Sequence, residues 1–279
     1  GFQVFDEFRE KFSNRFLNMG VSEANMIGVA AGMTLNNKKP ICYTIIPFLI
    51  MRAFEQIRTD LCIQNLPVKL VGVGGGVSYG TLGPTHHSMV DLAIMRSLPN
   101  MTVISPADPL ETRKATIEMM KIDGPVYLRL GKNGEPNLLN KDYKFEIGKG
   151  VKLIDGKDIT LLSTGSILGL SLEIARELKN KNISPEVINL HTVKPIDKEI
   201  IYNSVKKTKK IITIEEHNII GGLGSAVAET IVELDSNFKQ KIFGINDNFN
   251  YGVGGQNYHY KRNGLTVENI LNYIINKFI

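Results

Sequence analysis

The sequence has no tryptophan and only two cysteines, Cys42 and Cys62, in 279 residues. Neither cysteine has a CxxC partner or a histidine at zinc-site spacing, so a disulfide framework and a zinc module are both ruled out. Both read as reduced core thiols of a cytoplasmic protein. No apolar run nears the roughly 20 residues that span a bilayer, and no signal-peptide pattern opens the chain, so no membrane attachment is expected. Strong charge of one sign is also missing. Lys and Arg total 33 against 28 acidic residues, a net charge of +5. The only dense basic cluster, Lys206-Lys207-Thr208-Lys209-Lys210, precedes an apolar strand and reads as a solvated helix end, so no nucleic-acid partner is expected. Five histidines without helical or hairpin pairing give no metal ligand set. There is no repeat of solenoid period and no low-complexity segment.

What is present is enough apolar content, 43% of 279 residues, for two ordinary cores. Apolar runs bounded by turn residues predict buried parallel strands over 40–46, 68–73, 102–105 and 126–130. Helices are expected between them over 48–64, 87–96 and 109–121, the last opened by Asp108-Pro109 with Glu111 following. Residues 132–150, rich in Gly, Pro, Asn and Lys, break the rhythm and read as a linker. Strands then resume over 159–163, 186–190, 211–215 and 241–245, with helices over 167–179, 198–205, 224–234 and 267–277. This alternation predicts an α/β protein of two domains, 1–140 and 148–279, each a mostly parallel sheet flanked by helices.

One stretch carries most of the functional information: Gly20-Val21-Ser22-Glu23 followed by Ala24-Asn25-Met26-Ile27-Gly28-Val29-Ala30-Ala31-Gly32. It sets a lone carboxylate at the mouth of a helix of small and apolar residues. Such a helix has no obvious solvent face, so burial in a core or interface is expected. A carboxylate there loses hydration, which disfavours its charged form unless a donor compensates. Two readings stand at this point: a functional buried acid, or a Glu held by helix N-terminal amides with Ser22 as the cap.

This segment resembles the cofactor-activating motif of the transketolase family. The resemblance continues, in order, at Arg52-Ala53-Phe54-Glu55-Gln56-Ile57-Arg58, Gly83-Pro84-Thr85-His86, Thr192-Val193-Lys194-Pro195-Ile196-Asp197 and Glu215-Glu216-His217-Asn218-Ile219-Ile220-Gly221-Gly222-Leu223-Gly224. Together these blocks resemble only the pyrimidine-binding and C-terminal domains of a transketolase, with about one βα unit expected upstream. The resemblance implies thiamine diphosphate as cofactor, with Glu23 hydrogen-bonded to its pyrimidine ring and sharing a proton there. It implies cofactor contacts from Ile46, Phe48, Leu49 and Arg52. The stacking position counts to Leu49, with Phe48 one residue earlier, so either side chain can fill it; each also suits plain core. His86 is implied to move protons on sugar hydroxyls, a task suited to a pKa near neutrality. On residue type alone, a histidine after a proline turn reads as a surface or capping residue.

The departures concern substrate. Leu82 stands where the family commonly has an Asp that contacts a sugar hydroxyl, Gly74 where it has a phosphate-contacting His, and Lys132 where it has a phosphate-gripping Arg. A bidentate fork has become a point charge. An atypical ketose donor or acceptor is therefore expected, unphosphorylated or nucleotide-linked. Gly72-Val73-Gly74-Gly75-Gly76-Val77 fails the dinucleotide fingerprint in either register and reads as a loop that lets backbone approach a ligand or partner closely. Gly221-Gly222-Leu223-Gly224-Ser225 opens a helix and suits either packing or an anion on its free amides.

The family holds Mg²⁺ and the diphosphate on a Gly-Asp-Gly with a downstream Asn, oxygen ligands fit for a hard cation. This sequence has no Gly-Asp-Gly. The resemblance therefore implies a separate subunit carrying the diphosphate-binding domain and the Mg²⁺ ligands, self-association in an α2β2 assembly, and sugar or sugar-phosphate substrates. Alternatives are half of a 1-deoxyxylulose-5-phosphate synthase, the β chain of a 2-oxo-acid dehydrogenase, a non-catalytic structural subunit and, most remotely, a nicotinamide oxidoreductase.

Overall fold

The computed structural model describes residues 3–234 and 237–279. A short helix α1 (Asp6–Lys11) and a 3₁₀ turn (Ser13–Arg15) lead into α2 (Glu23–Thr34). The chain then lays down β1 (Ile41–Ile45), β2 (Lys69–Val73), β3 (Thr102–Ile104) and β4 (Val126–Leu130), joined through α3 (Phe54–Gln56), α4 (Asp91–Ser97) and α5 (Pro109–Met119). The remainder comprises β5 (Val151–Ile154), β6 (Ile159–Ser163), α6 (Leu168–Asn180), β7 (Pro185–Asn189), β8 (Thr192–Lys194) and α7 (Lys198–Thr208). It ends with β9 (Lys210–Asn218), α8 (Leu223–Ile231), β10 (Lys239–Ile245), α9 (Gln256–Arg262) and α10 (Val267–Lys277).

Two five-stranded sheets form among the described residues, ordered β1-β2-β4-β3-β8 and β10-β9-β6-β7-β5. All pairings are parallel except β8 against β3 and β5 against β7. This is the two-domain α/β fold expected from the alternation of apolar runs. Strands β2, β6 and β7 are buried along their whole length, as parallel strands covered on both faces must be. Alternate residues serve opposite faces: Cys42, Leu70 and Tyr127 pack toward α2, while Tyr43, Val71 and Leu128 pack toward α5. Each fully buried aliphatic side chain contributes about 1.5–3 kcal/mol.

Helix starts follow the sequence closely where a cap is present. Asp108 accepts from the Glu111 amide at 2.8 Å and Asp197 from the Ile200 amide at 3.2 Å. Three differences from the sequence reading matter. The helix expected over 48–64 is two π-helical turns, Pro47–Met51 and Ile57–Cys62, around the short α3. The helix expected from residue 87 begins at Asp91, because the Ser88 amide and carbonyl are already paired with Gly76. Strand β8 leaves the second half of the chain to pair antiparallel with β3 of the first sheet. Three residues are too few to show a period, so nothing in the sequence announced it.

A buried ion pair lies at the junction of the two halves. Arg129 on β4 donates to both oxygens of Asp91, at 2.6 and 3.2 Å, and to the Glu216 carbonyl on β9 at 2.9 Å. The Tyr127 hydroxyl donates to the same Asp91 carboxylate at 2.8 Å. Burial alone would raise the Asp91 carboxyl, but the guanidinium more than offsets it and holds the group below its ordinary value. Removing one partner of such a pair costs about 3–5 kcal/mol.

Candidate functional site

Glu23 is the first residue of α2 and only 6% exposed. Ser22 does not cap the helix: its hydroxyl donates backward to the Met19 carbonyl at 3.0 Å. The compensating donor is instead Arg52, whose guanidinium meets Glu23 Oε2 at 2.8 Å. Arg52 follows the first π-helical turn, and its Cζ lies 4.8 Å from the centre of the Phe48 ring. That contact is a cation–π arrangement.

The same turn gives the two candidate stacking residues different burial. Leu49 is fully buried in the core beneath β1, as is Ile46, whereas Phe48 is half-buried. The Phe48 ring meets His86 edge-on at 5.2 Å. His86 in turn lies 6.5 Å from the Tyr79 ring, and Lys132 Nζ sits 5.4 Å from that ring. Glu23, Arg52, Phe48, His86, Tyr79 and Lys132 therefore run as one line of side chains past the carboxyl ends of β1, β2 and β4. Ligands bind at that end of open α/β sheets. Leu82 closes the short 3₁₀ turn Gly80–Leu82 and is 51% exposed. Sequence reasoning passed over Tyr79; the signal was Gly74, where a Cβ would stand 2.2 Å from the Tyr79 ring and where φ is +93°.

The glycine run after β2 therefore approaches the protein's own side chains. A Cβ at Gly75 would meet Arg129 at 2.9 Å, and one at Gly76 would meet Glu216 at 2.2 Å. Gly76 and Ser88 form an isolated antiparallel bridge that closes the base of the loop over 77–87. His86 stands on this loop, its Nδ1 3.0 Å from the Thr85 hydroxyl.

The second glycine run also finds its partner within the chain. The amides of Leu223 and Gly224, at the start of α8, donate to Glu215 at 2.6 and 2.8 Å. The anion on those amides is this carboxylate. Burial pushes the Glu215 carboxyl up to about 7 against the opposing effect of the two amides.

Helix α2 is not buried all round. Glu23, Ile27, Ala30 and Ala31 face inward. Gly28, Val29 and Gly32 are open to solvent, beside Val21 and Leu35 at 88% and 72% exposure. In the single chain this small-residue face has no cover. A cleft of about 510 Å³ lies on the other side of the first sheet, against Tyr43, Val71 and Leu128, and touches the line of site residues only at Lys132. No described group of three or more His, Cys, Asp or Glu residues is placed to hold a metal ion. No helix among the described residues is long and apolar enough to cross a membrane.

Comparison with known proteins adds a family. Residues 2–135 match the pyrimidine binding domain of transketolase, and residues 148–270 match the transketolase C-terminal domain. The chain is 37% identical over 264 residues to one of the subunits of an apulose-4-phosphate transketolase from Actinobacillus succinogenes, covering 95% of this chain and 85% of that one. It is 38% identical over 264 residues to the 6-deoxy-6-sulfo-D-fructose transketolase subunit SqwH of a Clostridium species, covering 95% of this chain and 81% of the other. Among solved structures, a split-gene transketolase described as an inactive β4 tetramer superposes with a TM-score of 0.90 at 36% identity, over 100% of this chain and 89% of that one.

Proposed function

Because this chain belongs to the transketolase family, carrying its pyrimidine-binding and C-terminal domains, we propose that it is the C-terminal subunit of a split, thiamine-diphosphate-dependent transketolase. In this reading it moves a two-carbon ketol unit between sugars once a separate diphosphate-binding subunit has joined it. The observation that carries the reading is the line Glu23, Arg52, Phe48, His86, with its acid buried and its ring half-open.

A thiamine pyrimidine fits those residues, since a desolvated carboxylate stands close to an aromatic side chain at the carboxyl end of the sheet. The cofactor supplies a nucleophilic thiazolium carbon when bound. Glu23 would share a proton with the pyrimidine ring, and Arg52 holds the carboxylate through one oxygen so that its direction is fixed. Phe48, rather than the buried Leu49, offers the stacking surface, while Ile46 and Leu49 back the site from the core. His86 carries protons to and from sugar hydroxyls.

The Mg²⁺ ligands and the diphosphate cradle are assigned to the partner, and the assembly to two chains of each kind. Arg52, at 47% side-chain exposure, and the exposed Lys132 support this, because the line is open on one side and a second subunit would exclude water from it. Leu82 and the Tyr79 ring beside Gly74 support sugars outside the usual sugar-phosphate pair. Both relatives are named for sugars with an anionic group, and Lys132 is the charge available for one. The buried free thiols Cys42 and Cys62 support a cytoplasmic setting.

Mixing tests this reading. The purified chain should show no ketol transfer alone, with or without thiamine diphosphate and Mg²⁺. Transfer should appear on addition of a second polypeptide that carries Gly-Asp-Gly and its downstream Asn. Transfer by the isolated chain, or none by any such pair, would reject it.

A further inference from the structure

The loop over 77–87 is fixed at its base by the Gly76–Ser88 bridge, and its tip is held by a second device. His87, 4% exposed, and His259 of α9, fully buried, both direct Nε2 at the Gly80 carbonyl, at 3.4 and 3.2 Å. Their rings meet edge-on at 4.9 Å. The Gly83 amide also donates to the Gly80 oxygen at 3.4 Å, so three N–H groups share its two lone pairs and the His259 contact is the shortest of them. That acceptor assigns both rings the Nε2–H tautomer, with each Nδ1 buried and unpartnered among the described residues.

The same helix fastens the start of the loop. Gln256 and Tyr260 donate to Glu216, at 2.9 and 2.7 Å for Oε2, and Glu216 Oε1 accepts from the Val77 amide at 2.8 Å. Residues 256, 259 and 260 share one helical face. Glycine at position 80 fits this closeness, since a Cβ there would lie 2.5 Å from the Gly254 carbonyl.

We propose that His259, with His87, is a positioning residue: a two-imidazole clamp on the Gly80 carbonyl by which the C-terminal half of the chain holds the loop that carries His86. Its catalytic meaning rests on the role proposed for His86, but the clamp itself is a property of this chain alone.

Substitutions that differ only in reach test it. The Gln side-chain amide places a donor near the position of Nε2, whereas Asn is too short and Leu has none. Hydrogen–deuterium exchange of the full chain, read on peptides spanning residues 79–88 and on α2, separates the outcomes without any activity assay. His259→Asn and His259→Leu should exchange about 3- to 10-fold faster over residues 79–88, the effect of losing one net hydrogen bond. Helix α2 should be unchanged and the His86 ring proton resonances shifted. His259→Gln should stay within about twofold of wild type, since it keeps the donor. Should the Leu variant not fold, the Asn–Gln pair carries the comparison. Wild-type exchange in the Asn variant, equal loss in the Gln variant, or failure of all three to fold would each overturn the clamp. Failure of ketol transfer with an intact clamp would reject only the function proposed above.

Discussion

At the scale of single residues, the function proposed above turns on how one buried acid is kept in place. A carboxylate at 6% exposure, without a capping partner, needs a donor, and Arg52 supplies it from a different element. The sequence shows Glu23 in an apolar helix but says nothing of Arg52 as its partner, because 29 residues separate them and only the π-helical turns bring them together. Glu23→Gln keeps an acceptor for Arg52 and changes little in volume. In the reconstituted enzyme it should lower kcat by about 10²–10⁴-fold, the usual worth of acid–base assistance, with a melting temperature close to wild type. A variant with undiminished turnover would remove Glu23 from the mechanism. Phe48 and Leu49 differ in a way that counting along a chain does not show: the widened turn buries Leu49 and leaves Phe48 half-open beside Arg52 and His86.

At the scale of elements, legibility followed burial and capping. Strands β4 and β6 and helix α10 lie where the apolar runs and their bounding turns placed them, since burial on both faces demands uninterrupted aliphatic sequence. Short antiparallel additions, β5 and β8, carry too few residues for a pattern. Helix α9, Gln-Asn-Tyr-His-Tyr-Lys-Arg, hides its inward face behind polar residues that bond to buried partners. The glycine loop after β2 was legible as a place of close approach, but what approaches is Tyr79, Arg129 and Glu216. Gly74→Ala should therefore destabilise the chain by about 1–3 kcal/mol, through strain at positive φ and collision with the Tyr79 ring. Urea denaturation reads this directly, and an unchanged midpoint would show that the ring yields freely.

At the scale of the whole molecule, the two halves are joined by polar groups that are expensive to leave unpaired. Glu111 on α5 accepts from the Ala107 amide at 2.6 Å, from Asn189 of the second sheet at 2.9 Å and from the Tyr143 hydroxyl of the linker. Burial pushes its carboxyl up to about 7, although these hydrogen bonds oppose the shift. In the unfolded chain the group ionises near 4.5. Between those values the native state holds a proton that the unfolded state has released. Its stabilising contribution is thus complete below about 4.5 and is lost as pH rises through about 7, at roughly 1.4 kcal/mol per pH unit. Relative to Glu111→Gln, the wild-type chain should become less stable by about 1–3 kcal/mol between about pH 5 and pH 7.5. Denaturation midpoints at stepped pH check this, and parallel curves would contradict it.

The excursion of β8 into the first sheet bears on how the chain is made. On a ribosome the amino-terminal half emerges with β3 as a bare margin, a row of unsatisfied amides and carbonyls. That margin stays sticky until Thr192 to Lys194 have cleared the exit tunnel, some sixty residues after β4 is complete. Synthesis thus forbids the first sheet from maturing by itself, and a cut at the linker would yield fragments in search of each other rather than two finished modules.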